Sequence, residues 1–278
     1  MTTLGPVTAQ APHDPEANFG IPCPPEAPPR QPGRVLVTGA STGIGWETVK
    51  KLCEDGWQVL ATARRTERLA ALAAETGCQA FAADLTEPTH IAALTDWAHQ
   101  GGKVDALVNN AGGALGVDTV VDAKPERWQT MYERNVLATL RLTQALLPDM
   151  MAQGEGDIVF VTSTAAHETY PGGAGYTAAK HAEAMLPQTL RLELVGRPIR
   201  LIEICPGLVQ TPEFSLNRLG STAAATEVYA GVDNPLIGAD IARAIAWALH
   251  QPPHVNIDRL VIRPVEQANS NLKKRLEK

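Results

Sequence analysis

The sequence predicts a single α/β domain on a doubly wound parallel sheet of about seven strands. Three observations lead there. Short, continuously apolar runs recur along the chain, segments of helix length separate them, and the first run leads straight into a glycine-rich turn. Strands covered on both faces carry apolar side chains on both sides, so they do not alternate with polar ones. Strand–helix alternation in turn implies right-handed crossovers.

Residues 1–33 stand apart. The stretch "APHDPEANFGIPCPPEAPPRQPG" is dense in proline and poor in aliphatic residues. Proline removes backbone donors and fixes φ, which predicts an extended or disordered leader ahead of a domain spanning 34–278. A proline-rich ligand for a partner domain is the alternative. The predicted strands are "RVLVTG" (34–39), "QVLATA" (58–63), "QAFAAD" (79–84), "ALVNNA" (106–111), "DIVFVTS" (157–163), "RLIEIC" (200–205) and "RLVIRP" (259–264). Between them, "GWETVKKLCEDG" and "ERWQTMYERNVLATLRLTQALLPDMMAQG" have helical patterning. Residues 208–237 are rich in small side chains without a clear strand, and are predicted to form a mobile substrate lid.

Composition excludes several function classes. Of 278 residues, 44% are hydrophobic and 19% charged, enough for a sizeable core. The formal net charge of −6 argues against a general nucleic-acid or anionic-membrane binder. Cys23, Cys53, Cys78 and Cys205 form no CxxC pair, which predicts reduced thiols and no metal site. No apolar run reaches the roughly twenty residues of a membrane span, and the first residues, without a basic n-region or an apolar h-region, predict no secretory signal. The expected compartment is the cytoplasm.

The glycine turn, "VLVTGASTGIGWET", places Gly39, Gly43 and Gly45 between the first strand and a helix. Such a turn lets backbone approach a pyrophosphate, and the helix start offers unpaired N–H groups to it. A plain βα turn is the alternative. The TGxxxGxG spacing differs from the GxGxxG fingerprint of many dinucleotide-binding folds.

Tyr176 and Lys180, in "GYTAAK", are four residues apart, so on a helix they share a face. A free tyrosine with pKa about 10 is a poor base, and a neighbouring ammonium favours its phenolate. Ser163 ends the fifth predicted strand, thirteen residues earlier, where strand ends line the ligand crevice of open α/β sheets. Thr162 and Thr164 flank it, but the spacing favours Ser163.

With these motifs in order, the chain resembles the short-chain dehydrogenase/reductase family over about residues 34–265. The matches are Thr38, Gly39, Gly43, Ile44 and Gly45, then "NNAG" (109–112), then Pro206 and Gly207. The resemblance implies a Rossmann fold and a nicotinamide cofactor held by the loop from Thr38 through Ser41 and Thr42 to Gly45. It implies that Ser163 bonds the substrate oxygen, Tyr176 is the acid/base and Lys180 holds the nicotinamide ribose. Asn135 would support a water-linked proton relay, with an ordinary polar helix position as the alternative. Further implied cofactor contacts are Asp84 and Leu85, Asn110, Ala111 and Gly112, Pro206 and Gly207, and Val209 and Thr211. For Asp84 a helix N-cap is the rival.

Ala63 stands where NAD users in this family commonly carry aspartate, and Arg64 and Arg65 follow. Arginine suits a 2′-phosphate, whereas a helix start disfavours cations. Arg64 is therefore the expected NADP selector and Arg65 a second contact. The stretches "CPGLVQTPEFSLNRL" and "QPPHVNIDRLVIRPVEQANS" resemble the NADP-dependent 3-hydroxy acid dehydrogenases of the serine and allo-threonine dehydrogenase group. That implies a small hydroxy-acid substrate, with Arg218 as candidate carboxylate anchor or, alternatively, a solvated loop residue. It also implies a homo-oligomer, either a dimer or a homotetramer. Pro187 falls where an uninterrupted helix is expected and should kink it, at a cost of about 3 kcal/mol. A reductase of another ketone, aldehyde or polyol, and an inactive NADP-sensing binding protein, are the competing functions.

Overall fold

The computed structural model describes residues 25–274. The first part of the expected leader, 1–24, and the final residues 275–278 lie outside them. The chain runs β1 (Arg34–Thr38), α1 (Gly43–Glu54), β2 (Gln58–Ala63), α2 (Thr66–Thr76), β3 (Gln79–Ala82), α3 (Pro88–Gln100) and β4 (Ala106–Asn109). It continues through α4 (Pro125–Tyr132), a π-helical turn (Glu133–Leu137), α5 (Ala138–Gln153), β5 (Gly156–Val161), α6 (Ala174–Glu193) and β6 (Ile199–Pro206). The last part holds β7 (Val209–Gln210), α7 (Phe214–Leu219), α8 (Thr222–Tyr229), β8 (Leu236–Ile237), α9 (Gly238–Leu249) and β9 (Arg259–Ile262).

Seven parallel strands form one sheet in the order β3-β2-β1-β4-β5-β6-β9. Successive strand residues face opposite layers. Val35 and Val37 join Val49, Leu52, Ile241 and Ile245 beneath α1 and α9. Leu36 packs in the other layer with Leu94, Leu142, Leu146 and Phe160, beneath α3 and α5. Both faces are thus sealed by helices, which is why the strands read as unbroken apolar runs. Strand order reverses between β1 and β4, and ligands of open α/β sheets bind at such a switch point.

Two local outcomes bear on the sequence expectations. α6 continues through Pro187 as a single element from Ala174 to Glu193. Pro187 is buried, so packing holds the turn that its missing N–H would weaken. α5 likewise contains Pro148. The segment 208–237 has more regular structure than its composition suggests: β7 and β8 pair with each other, and α7 and α8 lie between them.

Residues 25–33 carry no helix or strand, but Arg30 is nearly buried and docks on the domain. Its Nε lies 2.7 Å from Asp157. The same carboxylate accepts from Arg200 Nε at 2.6 Å and Nη2 at 2.9 Å. Removing one member of a buried charge set leaves the others uncompensated. Asp157→Ala should therefore cost about 3–5 kcal/mol of stability. Urea denaturation measures it, and a loss below about 1 kcal/mol would reduce the cluster to surface-pair standing.

Candidate active site

The switch point is stapled by one side chain. Thr38 Oγ1 accepts from the backbone N–H of Asn110 and Ala111, both at 2.9 Å, and donates to the Val108 carbonyl at 3.2 Å. The Asn110 side chain returns a bond to the Thr38 carbonyl at 2.8 Å. At Gly39 the chain turns with φ 65°, and a Cβ at Gly45 would strike the Gly39 carbonyl oxygen. Both positions thus require glycine. Thr42 caps α1 without a side-chain hydrogen bond, so the first-turn N–H groups of α1 remain available to an anion.

A cleft of about 800 Å³ opens above these turns. Of the residues singled out from the sequence, all but Thr38, Gly45 and Asn135 line it. Those three build its walls. Asn135, in the π-helical turn, accepts from Gly113 N at 3.0 Å and donates to the carbonyls of Gly113 and Met131 at 2.9 and 2.7 Å. It pins the loop after β4, and a Cβ on Gly112 would meet its Oδ1 at 2.5 Å. π-turns inside α-helices recur at functional sites.

The two arginines after β2 differ in their surroundings. Arg65 donates to Ser41 Oγ at 2.9 Å and pairs with Glu213 at 2.8 Å. Arg64 is exposed and makes no hydrogen bond or ion pair with the described residues. Asp84 accepts from Thr86 N at 3.0 Å and from its hydroxyl at 2.8 Å. The N-cap of α3 is Glu87, so Asp84 is not that cap. Burial opposes its ionisation, but the Thr86 donors and the charges of Arg64 and Arg134 hold its carboxyl below the usual range.

At the other end, Ser163, Tyr176 and Lys180 line the same cleft. Ser163 follows β5 and caps a short 3₁₀ turn, accepting from Ala165 N at 3.1 Å. Tyr176 and Lys180 are buried on one face of α6. Burial pushes the Tyr176 phenol above the usual tyrosine value, while the Lys180 charge and the Ser163 hydroxyl pull it back. The lowering expected from the ammonium is present but outweighed by burial.

α7 spans the cleft. Glu213, at its start, ties to Arg65, and the Phe214 ring meets the Tyr176 ring edge-on at 5.8 Å. At its far end Arg218 donates to the Gly116 carbonyl at 3.1 Å, the Tyr170 hydroxyl at 3.0 Å and the Gly172 carbonyl at 3.2 Å. Its guanidinium carbon lies 5.9 Å from the centroid of the Tyr176 ring. Arg218 is therefore a half-buried residue of the reacting end, not a solvated loop arginine.

Some residues of the site escaped the sequence reading. Gln267, Ser270 and Lys273 bring the C-terminal stretch into the cleft wall. Glu168 anchors that stretch by accepting from Ser270 N and Oγ, both at 2.8 Å. Glu183 pairs with Lys180, and its i,i+3 spacing in "KHAE" was the available signal. Behind Ser163, His167, Glu203 and Cys205 bring three ligand-type atoms within 4.8 Å of one another. Glu203 is already engaged by Thr162, His167 and Arg259 at 2.8, 2.9 and 2.7 Å. Burial pushes the Cys205 thiol up to about 12, so the cluster is an ion-pair network carrying a neutral thiol.

Fold and cleft define the class: a doubly wound α/β protein with its cleft at the switch point. Comparison with known proteins narrows it. The family model described as short chain dehydrogenase matches residues 33–218, and the chain belongs to that family. It is 52% identical over 237 residues to an uncharacterised oxidoreductase of Mycobacterium tuberculosis, covering 85% of this chain and 92% of that one. It is 41% identical over 244 residues to the serine 3-dehydrogenase of Agrobacterium fabrum, covering 85% and 95%. Among solved structures, the closed form of a serine dehydrogenase complexed with NADP+ superposes with a TM-score of 0.81. That pair shares 34% identity over 88% of this chain and 100% of the other.

Proposed function

We propose that the chain is an NADP(H)-dependent oxidoreductase that interconverts a 3-hydroxy acid, or a similar secondary alcohol, and its 3-oxo form. The observation that carries this reading is the position of Arg218. A guanidinium faces the ring of Tyr176 inside the cleft whose other end holds the glycine turn and Arg64. A cation beside the proton-transferring group suits a substrate whose carboxylate lies one carbon beyond the neighbour of its hydroxyl-bearing carbon, as in a 3-hydroxy acid.

The cleft fits the cofactor. The glycine turn allows close backbone approach, the start of α1 is uncapped toward an anion, and Arg64 makes no hydrogen bond or ion pair among the described residues. The loop from Gly39 to Gly45 with Ser41, Thr42 and Ile44 would hold the phosphates, and Asp84 and Leu85 the adenine side. Asn110, Ala111, Gly112, Pro206, Gly207, Val209 and Thr211 would flank the rest, with Lys180 at the nicotinamide ribose. When bound, NADP(H) supplies or accepts hydride, and its oxidised form adds positive charge near the reacting groups. Ser163 would donate a hydrogen bond to the substrate oxygen. Tyr176 would take the hydroxyl proton in oxidation and return it in reduction, with the Lys180 charge favouring the phenolate. Asn135 would act by holding the Gly113 backbone and the relay path in place.

Arg218→Ala should raise KM for 3-hydroxy acids about 10- to 100-fold, as expected for loss of a charge-assisted hydrogen bond. KM for neutral alcohols should change little. Steady-state kinetics with both substrate types checks this, and equal effects on both would reduce Arg218 to a scaffold latch. The same reading includes a cytoplasmic homo-oligomer, dimer or tetramer. Exposed Met185 and Leu192 on α6 offer apolar surface for assembly, and free thiols at Cys53, Cys78 and Cys205 fit a reducing compartment.

A further inference from the structure

Lys180 has a partner that the predicted constellation lacks. Glu183 lies one turn further along α6 and accepts from Lys180 Nζ at 2.5 Å. The ammonium also donates to the Val161 carbonyl at 3.1 Å. Both side chains are sealed from water, at 4% and 1% exposure. Burying a carboxylate is costly, and an apolar side chain of similar volume serves packing at least as well. A charge in this place acts on its neighbours at close range and low dielectric.

The groups facing this pair come from several elements. α6 itself presents Tyr176, and α5 presents Thr139, whose hydroxyl favours the Glu183 carboxylate. β6 presents Glu203 and Cys205. Glu203 is turned to Arg259, His167 and Thr162. Lys180 is therefore the cation that answers Glu183 directly. Burial pushes the Glu183 carboxyl up to about 7, against the pull of Lys180. Burial works most strongly against the Lys180 ammonium, but the charge and hydrogen bond of Glu183, together with Tyr176 and Cys205, outweigh it and hold the ammonium above the usual lysine range. The charge of Glu183 adds to the rise at Tyr176.

We infer that Glu183 is a positioning residue that holds Lys180 and sets the pH range over which Tyr176 exchanges its proton. The carboxylate cancels part of the ammonium's field at the phenol, so the phenolate forms at higher pH than Lys180 alone would allow. This inference rests on the reading of Tyr176 as the acid/base.

The test uses the full chain with NADP+ and a hydroxy-acid substrate. Glu183→Gln keeps the shape and an acceptor for Lys180 but removes the charge. The ascending limb of kcat/KM for oxidation should move toward acid by about one pH unit. Glu183→Asp retains the charge and should return the limb toward its original position. A purely structural role would lower thermal stability and scale rates at every pH without moving the limb. Superposable limbs for the original protein and Glu183→Gln overturn the inference. If Glu183→Gln does not fold, Glu183→Met replaces it in the same comparison, and failure of both to fold assigns Glu183 to structure and also overturns it. Tyr176→Phe runs in parallel: sustained turnover there refutes the acid/base reading itself, whereas an inactive Tyr176→Phe with an unmoved limb in Glu183→Gln refutes only the role of Glu183.

Discussion

Tyr176→Phe is expected to lower kcat/KM by about 10³- to 10⁴-fold, at the upper end of what general acid–base catalysis contributes. The substitution removes one hydroxyl and keeps the ring that packs against Phe214 and lies near Arg218. Folding and cofactor affinity should change little, because the glycine turn and the arginines after β2 lie at the other end of the cleft. Fluorescence titration with NADPH measures affinity, and steady-state rates measure turnover. Retained turnover would remove Tyr176 from the mechanism. Equal losses of affinity and turnover would make it a binding residue instead.

The second large effect concerns cofactor choice. Ala63→Asp combined with Arg64→Leu should lower the NADP/NAD ratio of kcat/KM by about 100-fold or more. Charge-assisted hydrogen bonds to a 2′-phosphate are worth roughly 1.5–3 kcal/mol, and a new carboxylate adds repulsion. The structure separates the two arginines. Arg65 is committed to Ser41 and Glu213, so Arg65→Leu alone should disturb the α7 crossing as well as binding. Arg64 has no such commitment among the described residues, so the double variant targets it as the proposed selector. An unchanged ratio in the double variant would return both arginines to surface status.

The sheet was legible because its strands are buried on both faces. Each predicted strand from "RVLVTG" to "RLVIRP" overlaps an observed one, although most end earlier than their apolar runs. The end of a ladder is decided by where neighbours stop pairing, which no single strand encodes. The helices between β7 and β8 were illegible for a different reason. α8 buries none of its residues, so it lacks an apolar stripe to read. Pro187 carries a real local cost, and α6 remains one element because buried packing holds it together around the proline. Tyr176 and Lys180 could be paired by helical spacing, and the same spacing reaches Glu183. What the spacing withheld was burial, and burial turns an ordinary surface ion pair into a sealed one. Chemistry alone nominates Arg218 as a carboxylate anchor, and only the fold of α7 places it over the Tyr176 ring.

The central claim is NADP-linked oxidation of a 3-hydroxy acid. Its most direct test is nicotinamide absorbance at about 340 nm with NADP+ or NAD+ against serine, allo-threonine, 3-hydroxybutyrate, 3-hydroxypropionate and neutral alcohols. The account predicts NADPH formation with at least one hydroxy acid, faster than with any neutral alcohol and faster than with NAD+. Turnover confined to neutral alcohols, or a preference for NAD+, would contradict it.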